Sequence, residues 1–144
     1  MILDTTYFLP LAEIGIDTDL FLAEAQERTS VRLDKIGISS ISLFELQAKA
    51  AKLRVPAKLV TTALRVIEDN FEVHPFSDPK VVETSFELRD RISDYVDCII
   101  AATAAVRKEE LASEDSRIWK IRKPLRDIYG VKVWRYRDLV KASS

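Results

Sequence analysis

Short apolar runs alternate with longer segments in which apolar residues recur at helical spacing, and this alternation predicts the order of elements. Ile2 and Leu3 open a strand that ends at Asp4, and Phe8, Leu9, Leu11 and Ile14 then fall at helical spacing over residues 6–15. Pro10 is expected to confine that helix to its first turn. Residues 18–29 predict a charged amphipathic helix, and within 32–40 Ile36 and Ile38 flank Gly37 as in a short second strand. From Ser42 onward Leu43, Leu46, Ala50 and Leu53 trace a helix that stops at Pro56, and Leu59, Ala63, Val66 and Ile67 trace another. Phe71, Val73 and Phe76 predict a third strand, and Pro79 suits the first turn of a helix reaching about Arg91. Ser93 or Asp94 can cap the next helix, whose DCIIAATAAV run is apolar and small enough to be buried on most sides. Residues 110–113 predict a fourth strand, 116–128 a basic connection, and VKVWRY a fifth strand. Strands alternating with helices imply a parallel sheet covered on both faces, because parallel neighbours need crossovers long enough to hold a helix.

Size and composition narrow this picture. With 144 residues, 47% of them hydrophobic, the chain forms one domain spanning 1–144, and it carries no repeat or linker. Its formal net charge of −1 excludes a global positive field, so any hold on nucleic acid must be local. Cys98, the single cysteine, lies in the apolar run and reads as a buried structural thiol, which suits a reducing cytoplasm. The N-terminus lacks the basic start and long apolar stretch of a signal peptide, and a soluble cytoplasmic protein without membrane contact is expected. His74 is the only histidine, which disfavours zinc sites rich in His and Cys as well as Ser/His/Asp catalysis. Oxygen-ligand metal chemistry stays open.

In a parallel sheet of this kind the C-terminal strand ends share one edge, and groups just after strands or at the starts of following helices converge there. Asp4, Glu45, Asp97 and Asp115 all occupy such places. Clustered carboxylates raise one another's pKa unless a cation or hydrogen bonds compensate, and a hard divalent cation such as Mg²⁺ or Mn²⁺ is the natural partner. Such a site can polarise a phosphate and activate water without a histidine base. Each acid also has a plainer reading: Asp4 in an Asx turn, Glu45 in a capping box with Ser42 within SLFE, Asp97 at a helix dipole, and Asp115 in a solvated loop. The case rests on the four together, in order, at one edge.

These segments resemble the PIN-domain family, in particular the VapC-type ribonucleases that act as toxins in bacterial and archaeal toxin–antitoxin pairs. MILDTTYFL resembles the family's first strand and aspartate, placing it at Asp4 with the hydroxyl of Thr6 two residues on; SISLFELQAKA resembles the segment with the acidic helix residue, at Glu45. DYVDCIIAATAAV is similar to the family's aspartate followed by an alanine-rich helix, at Asp97, and LASEDSRIW to the loop with the fourth acid, at Asp115 with Ser113 before it. The resemblance covers essentially the whole chain. It implies a three-layer α/β/α sandwich around a mainly parallel five-stranded sheet, a Mg²⁺ or Mn²⁺ held by Asp4, Asp97 and Asp115, cleavage of single-stranded RNA, a homodimer and a small antitoxin partner. The sequence departs from the family where Thr6 replaces Ser or Asn, where Glu114 adjoins Asp115 as a rival ligand, and where Ile118 precedes Trp119 at the usual aromatic position. Asp94, one helical turn before Asp97, is a further candidate.

Positive charge is concentrated late: residues 107–141 hold 11 of the 22 Lys and Arg against six acids. Arg117, Lys120, Arg122 and Lys123, with Arg126, follow Asp115 closely and are candidates for binding phosphates that flank the scissile one. Trp119 and Trp134 read as core or interface residues in preference to base-stacking platforms, and His74 as structural or exposed. The alternative function is a PIN-like module that binds RNA or protein without cutting it. A phosphoacceptor signalling domain would share the architecture but needs paired early acids, and Asp4 has no acidic neighbour.

Overall fold

The computed structural model describes residues 1–142. Five strands, β1 (Ile2–Leu3), β2 (Gly37–Ser39), β3 (Glu72–His74), β4 (Leu111–Ala112) and β5 (Val133–Trp134), form one sheet in the order β3-β2-β1-β4-β5. Every neighbouring pair is parallel. The helices are α1 (Leu20–Ala25), α2 (Ser40–Lys52), α3 (Ala57–Asn70), α4 (Pro79–Leu88), α5 (Tyr95–Arg107), α6 (Ser116–Lys120), α7 (Arg122–Tyr129) and α8 (Tyr136–Leu139).

The pleat explains the layering. Successive strand residues point to opposite faces. Accordingly Ile2 and Leu111 join a core with Val81, Leu88, Ile100 and Leu125, whereas Leu3 and Ala112 join one with Phe8, Leu20, Leu46 and Ile67. Helices α4, α5 and α7 therefore cover one face, and α1, α2 and α3 the other, as the expected α/β/α sandwich requires. Both faces are buried, which is why the strands read as short apolar runs. From β1 the chain steps outward to β2 and β3, then returns through α4 and α5 to lay β4 and β5 on the other side. The direction of winding thus reverses between β1 and β4, opening a crevice beyond their C-terminal ends.

Several local readings change. The segment after Asp4 is a 3-10 helix, Thr5–Ala12, that runs through Pro10 instead of stopping there. Burial of Tyr7, Phe8, Leu9 and Ala12 holds it despite the missing donor, and Glu13, at φ 61°, closes it. The helix expected over 18–29 is only Leu20–Ala25, started by Asp19, whose Oδ1 accepts the Leu22 N–H at 3.0 Å. Pro75 follows β3 directly, so Phe76 lies outside the strand and is 45% exposed. The expected basic connection at 116–128 is two helices, α6 and α7, and α8 was not foreseen. Helix α5 matches its pattern: every residue from Asp97 to Thr103, and Ala104, is buried. Cys98 is among them, its Sγ donating to the Ile92 carbonyl and its thiol pushed up by burial, in keeping with a structural role. Among the described residues no helix is long and apolar enough to cross a membrane.

Candidate active site

The crevice at the β1–β4 reversal is a cleft of about 520 Å³ lined by Asp4, Thr5, Thr6, Glu45, Asp94, Asp97, Glu114, Asp115 and Arg117, among others. All four primary acids read from the sequence therefore reach one cleft, by different local devices.

Asp4 ends β1 and is 8% exposed. Its Oδ1 accepts the Thr5 N–H at 2.7 Å and its Oδ2 the Ser113 hydroxyl at 2.6 Å. Burial outweighs those hydrogen bonds, and with the charges of Glu45 and Asp115 nearby the carboxyl is pushed up to about 6. Asp97 stands in the first turn of α5 and is 6% exposed. Burial, then the negative charges of Asp115, Asp4 and Asp94, push it up to about 7 against the pull of Arg117. Its Oδ2 is buried without a hydrogen bond; Arg117 Nη2 lies 3.1 Å away, an ion-pair distance, but off the hydrogen-bonding direction. The cap of α5 belongs instead to Asp94, whose Oδ1 accepts the N–H groups of Val96 and Asp97.

Asp115 caps α6, accepting the Arg117 N–H at 2.7 Å and its guanidinium at 3.0 Å. Burial alone would raise this carboxyl; hydrogen bonds from the Arg117 side chain and backbone more than offset it and leave it below the usual range. Neighbouring Glu114 is exposed at the cleft edge and engaged elsewhere, accepting the Tyr7 hydroxyl and the Tyr136 N–H. Ser113 is fully buried and links the two strand ends, donating to Asp4 and accepting the Asp115 N–H at 3.1 Å.

Glu45 corrects the capping-box reading. Helix α2 begins at Ser40 with Ser39 as its cap, so Ser42 lies inside the first turn and does not pair with Glu45 as a box. Glu45 Oε1 instead accepts the hydroxyl of Thr5. A carboxylate only accepts, so the single Thr5 proton goes to Glu45, and the 2.8 Å contact with buried Ser42 is a donation from Ser42 to Thr5. Thr5, which lines the cleft, and Ser42 behind it are thus contacts that sequence reasoning missed. Thr6, the hydroxyl expected there, lines the cleft, but the hydrogen bond to Glu45 belongs to its neighbour. The hydroxyl directly after Asp4 was the available signal.

The expected phosphate-binding group divides. Arg117 lies in the acidic cleft, whereas Lys120, Arg122, Lys123, Arg126 and Lys132 line a separate groove. Trp119 is covered by its own chain, with the guanidinium of Arg135 3.7 Å and that of Arg122 4.3 Å from the ring centre.

The oxygen donors in the cleft are carboxylates and hydroxyls, the chemistry a hard divalent cation prefers, and the unsatisfied buried Oδ2 of Asp97 suits the same role. Among the described residues, however, no three His, Cys, Asp or Glu side chains converge to hold an ion as they stand. Three of the acids, Asp94, Asp97 and Asp115, instead pair with Arg117.

Solved structures share the fold. VapBC2 from Rickettsia felis, bound to a DNA fragment from its promoter, superposes with a TM-score of 0.65 at 21% identity, covering 93% of this chain and 96% of that one. FitAcB from Neisseria gonorrhoeae gives 0.64 at 20%, covering 96% and 99%. A toxin–antitoxin complex from Klebsiella pneumoniae gives 0.59 at 23%, covering 90% and 93%. No curated protein matches the chain in sequence. The profile of the PIN domain matches residues 1–124, most of the chain and every acid of the cleft, and the chain belongs to the PIN-domain family.

Proposed function

We propose that this protein is a Mg²⁺- or Mn²⁺-dependent endoribonuclease that cleaves single-stranded RNA, acting in the cytoplasm as the toxin of a toxin–antitoxin pair. The observation that carries the reading is the meeting of Asp4, Glu45, Asp97 and Asp115 in one crevice, with two of the carboxyls, Asp4 and Asp97, held well above their ordinary range. Groups perturbed by burial and like charge in a cleft are a functional signature when they share one chemistry. Asp4, Asp97 and Asp115 are the ligands in this reading. A divalent cation held by them would supply positive charge for polarising the scissile phosphate and stabilising the departing oxygen. Thr5 orients Glu45 through Oε1, leaving Oε2 to position the attacking water. Lys120, Arg122 and Lys123, in the basic groove, hold phosphates away from the cut. The toxin–antitoxin complexes among the structural neighbours support an antitoxin partner, and a homodimer belongs to the same reading.

Cleavage of labelled single-stranded RNA with Mg²⁺, Mn²⁺ or EDTA tests this directly. Activity is expected with either metal and none with EDTA, and it should vanish in Asp97→Asn, which excludes a contaminating nuclease. The rival reading, a PIN domain that binds without cutting, draws on Arg117 sitting among the acids; folded protein that cuts no RNA with either metal would put it first. A finer test targets Glu45. Thr5→Val should lower kcat about 10- to 100-fold, the usual effect of removing a hydrogen bond that orients a site carboxylate. Thr6→Ala should fall far less; equal losses in the two variants would mean that Thr5 has no special part.

A further inference from the structure

Arg117 touches three acids at once. Its Nη2 lies 3.0 Å from Asp115 Oδ2 and 3.1 Å from Asp97 Oδ2, and its Nη1 lies 3.6 Å from Asp94 Oδ2. We propose that Arg117 is an intramolecular stand-in for the divalent cation: it gathers Asp94, Asp97 and Asp115 in the metal-free protein, must withdraw before the ion binds, and then takes a substrate phosphate at the rim of the cleft. The inference rests on the metal-dependent reading above and assigns its cation site a built-in competitor.

Four observations support it. Of the three carboxylate oxygens that Arg117 meets, two belong to Asp97 and Asp115, ligands in that reading, so a guanidinium and an ion contend for the same atoms. Asp97 Oδ2 is buried and gains only an off-direction ion pair from Arg117, leaving an oxygen that a cation would satisfy better. Asp94, Asp97 and Asp115 surround the guanidinium, and among the described residues no three acids stand placed to hold an ion. Finally, the Arg117 side chain is 46% exposed and carried by the short helix α6, so its departure breaks no core packing. A phosphate offers the same guanidinium a bidentate partner outside the cluster. Binding of phosphodiester and of metal therefore favour one another, each removing the obstacle to the other, and the coupling is reciprocal by linkage.

Metal binding by the purified full-length chain, stripped of metal and titrated with Mn²⁺, tests this without reference to activity. Arg117→Met keeps the aliphatic stem, and its folding is checked by circular dichroism; it should bind Mn²⁺ about tenfold more tightly than wild type, equivalent to about 1.4 kcal/mol. Lys49→Met removes another cation lining the same cleft and should change the affinity much less, because Lys49 pairs with none of the three acids. A single-stranded DNA oligonucleotide, which supplies phosphodiesters without ribose, should tighten Mn²⁺ binding to wild type and leave Arg117→Met unchanged. Equal or weaker Mn²⁺ binding by Arg117→Met, or a Lys49→Met effect of the same size, overturns the stand-in role. The same oligonucleotide response in both proteins, or none in wild type, overturns the handover to phosphate. If neither protein binds Mn²⁺, the metal-dependent reading falls and this inference with it, whereas binding by wild type with no gain in Arg117→Met removes this inference alone.

Discussion

Asp97→Asn is expected to lower RNA cleavage by at least about 100-fold while raising the thermal stability of the metal-free protein. The two effects have one origin. In the unfolded chain Asp97 titrates near 3.8; in the folded protein burial and the charges of Asp115, Asp4 and Asp94 move it to about 7. Between those values the folded state holds a proton that the unfolded state has released, so folding is favoured at low pH and loses stability as pH rises through that window. Above it the penalty is constant. Asp4 adds a smaller loss of the same sign that ends near pH 6, because Ser113 and Thr5 already hydrogen-bond its carboxylate. An amide at position 97 carries no charge and escapes the penalty. At pH 8 in EDTA, Asp97→Asn should gain roughly 1–3 kcal/mol, or about 3 °C in Tm per kcal/mol for a domain of this size. At pH 5 the gain should shrink by more than half, and it should vanish below pH 3.8. With saturating Mg²⁺ the order should reverse, since wild type gains a ligand-bound state that the variant has weakened. The opposing account treats Asp97 as a helix-dipole partner and predicts a loss on the order of 1 kcal/mol in every buffer. Because Asp94 holds the cap of α5, the dipole is all that account has left. Melts at pH 5 and 8, each in EDTA and in Mg²⁺, separate the two: a lower Tm for the variant at pH 8 in EDTA would discard the electrostatic argument.

The sheet and its order of elements were legible because the central strands are buried on both faces and the crossover helices carry apolar faces. Helix α5 was the clearest case, since DCIIAATAAV leaves no polar face to expose. Readings failed where tertiary contacts override local preference. Pro10 does not stop the helix after Asp4, because Tyr7, Phe8 and Leu9 are all buried there. Asp115 and Gly130, at the ends of the α6–α7 segment, were the cap signals hidden by a stretch that read as merely basic. The four acids could be brought to one cleft from the sequence because Asp4 and Asp115 come soon after strands and Glu45 and Asp97 early in helices, positions that periodicity locates. What they bond to was not legible, since Thr5 meets Glu45 across 40 positions and Ser113 meets Asp4 across 109. Arg117 shows the same limit in another form. Charge density near Asp115 marked it as a phosphate ligand, but only the folded chain shows that its nearest anions are the protein's own carboxylates.

Gly37→Ala is expected to have the opposite profile to Asp97→Asn, with stability lost and the chemistry kept. Gly37 lies in β2 between β1 and β3, paired with Ile2 on one side and Glu72 on the other. Its backbone is ordinary strand, so the need for glycine is one of space. A Cβ there would sit 2.8 Å from His74 Nε2 and 2.8 Å from Ile2 Cδ1, closer than such atoms pack. Both neighbours are buried, Ile2 fully and His74 at 7% exposure, and burial lowers the imidazole pKa, so the ring is a packed neutral group over the glycine. Ile2 can rotate its terminal methyl group, but the rigid ring has to tilt, and overpacking of this kind costs about 1–3 kcal/mol. A fall in Tm of roughly 3–9 °C should follow. If the ring is the main obstacle, His74→Ala should destabilise the glycine background and yet recover part of the loss in the alanine background, a favourable coupling that a double-mutant cycle by thermal or urea unfolding would measure. No coupling would place the clash on Ile2 alone. Well below the melt, RNA cleavage by Gly37→Ala should stay near wild type, because Asp4 and the α2 residue Glu45 are tied to each other's elements through Thr5 and Ser42 and do not depend on the space above Gly37.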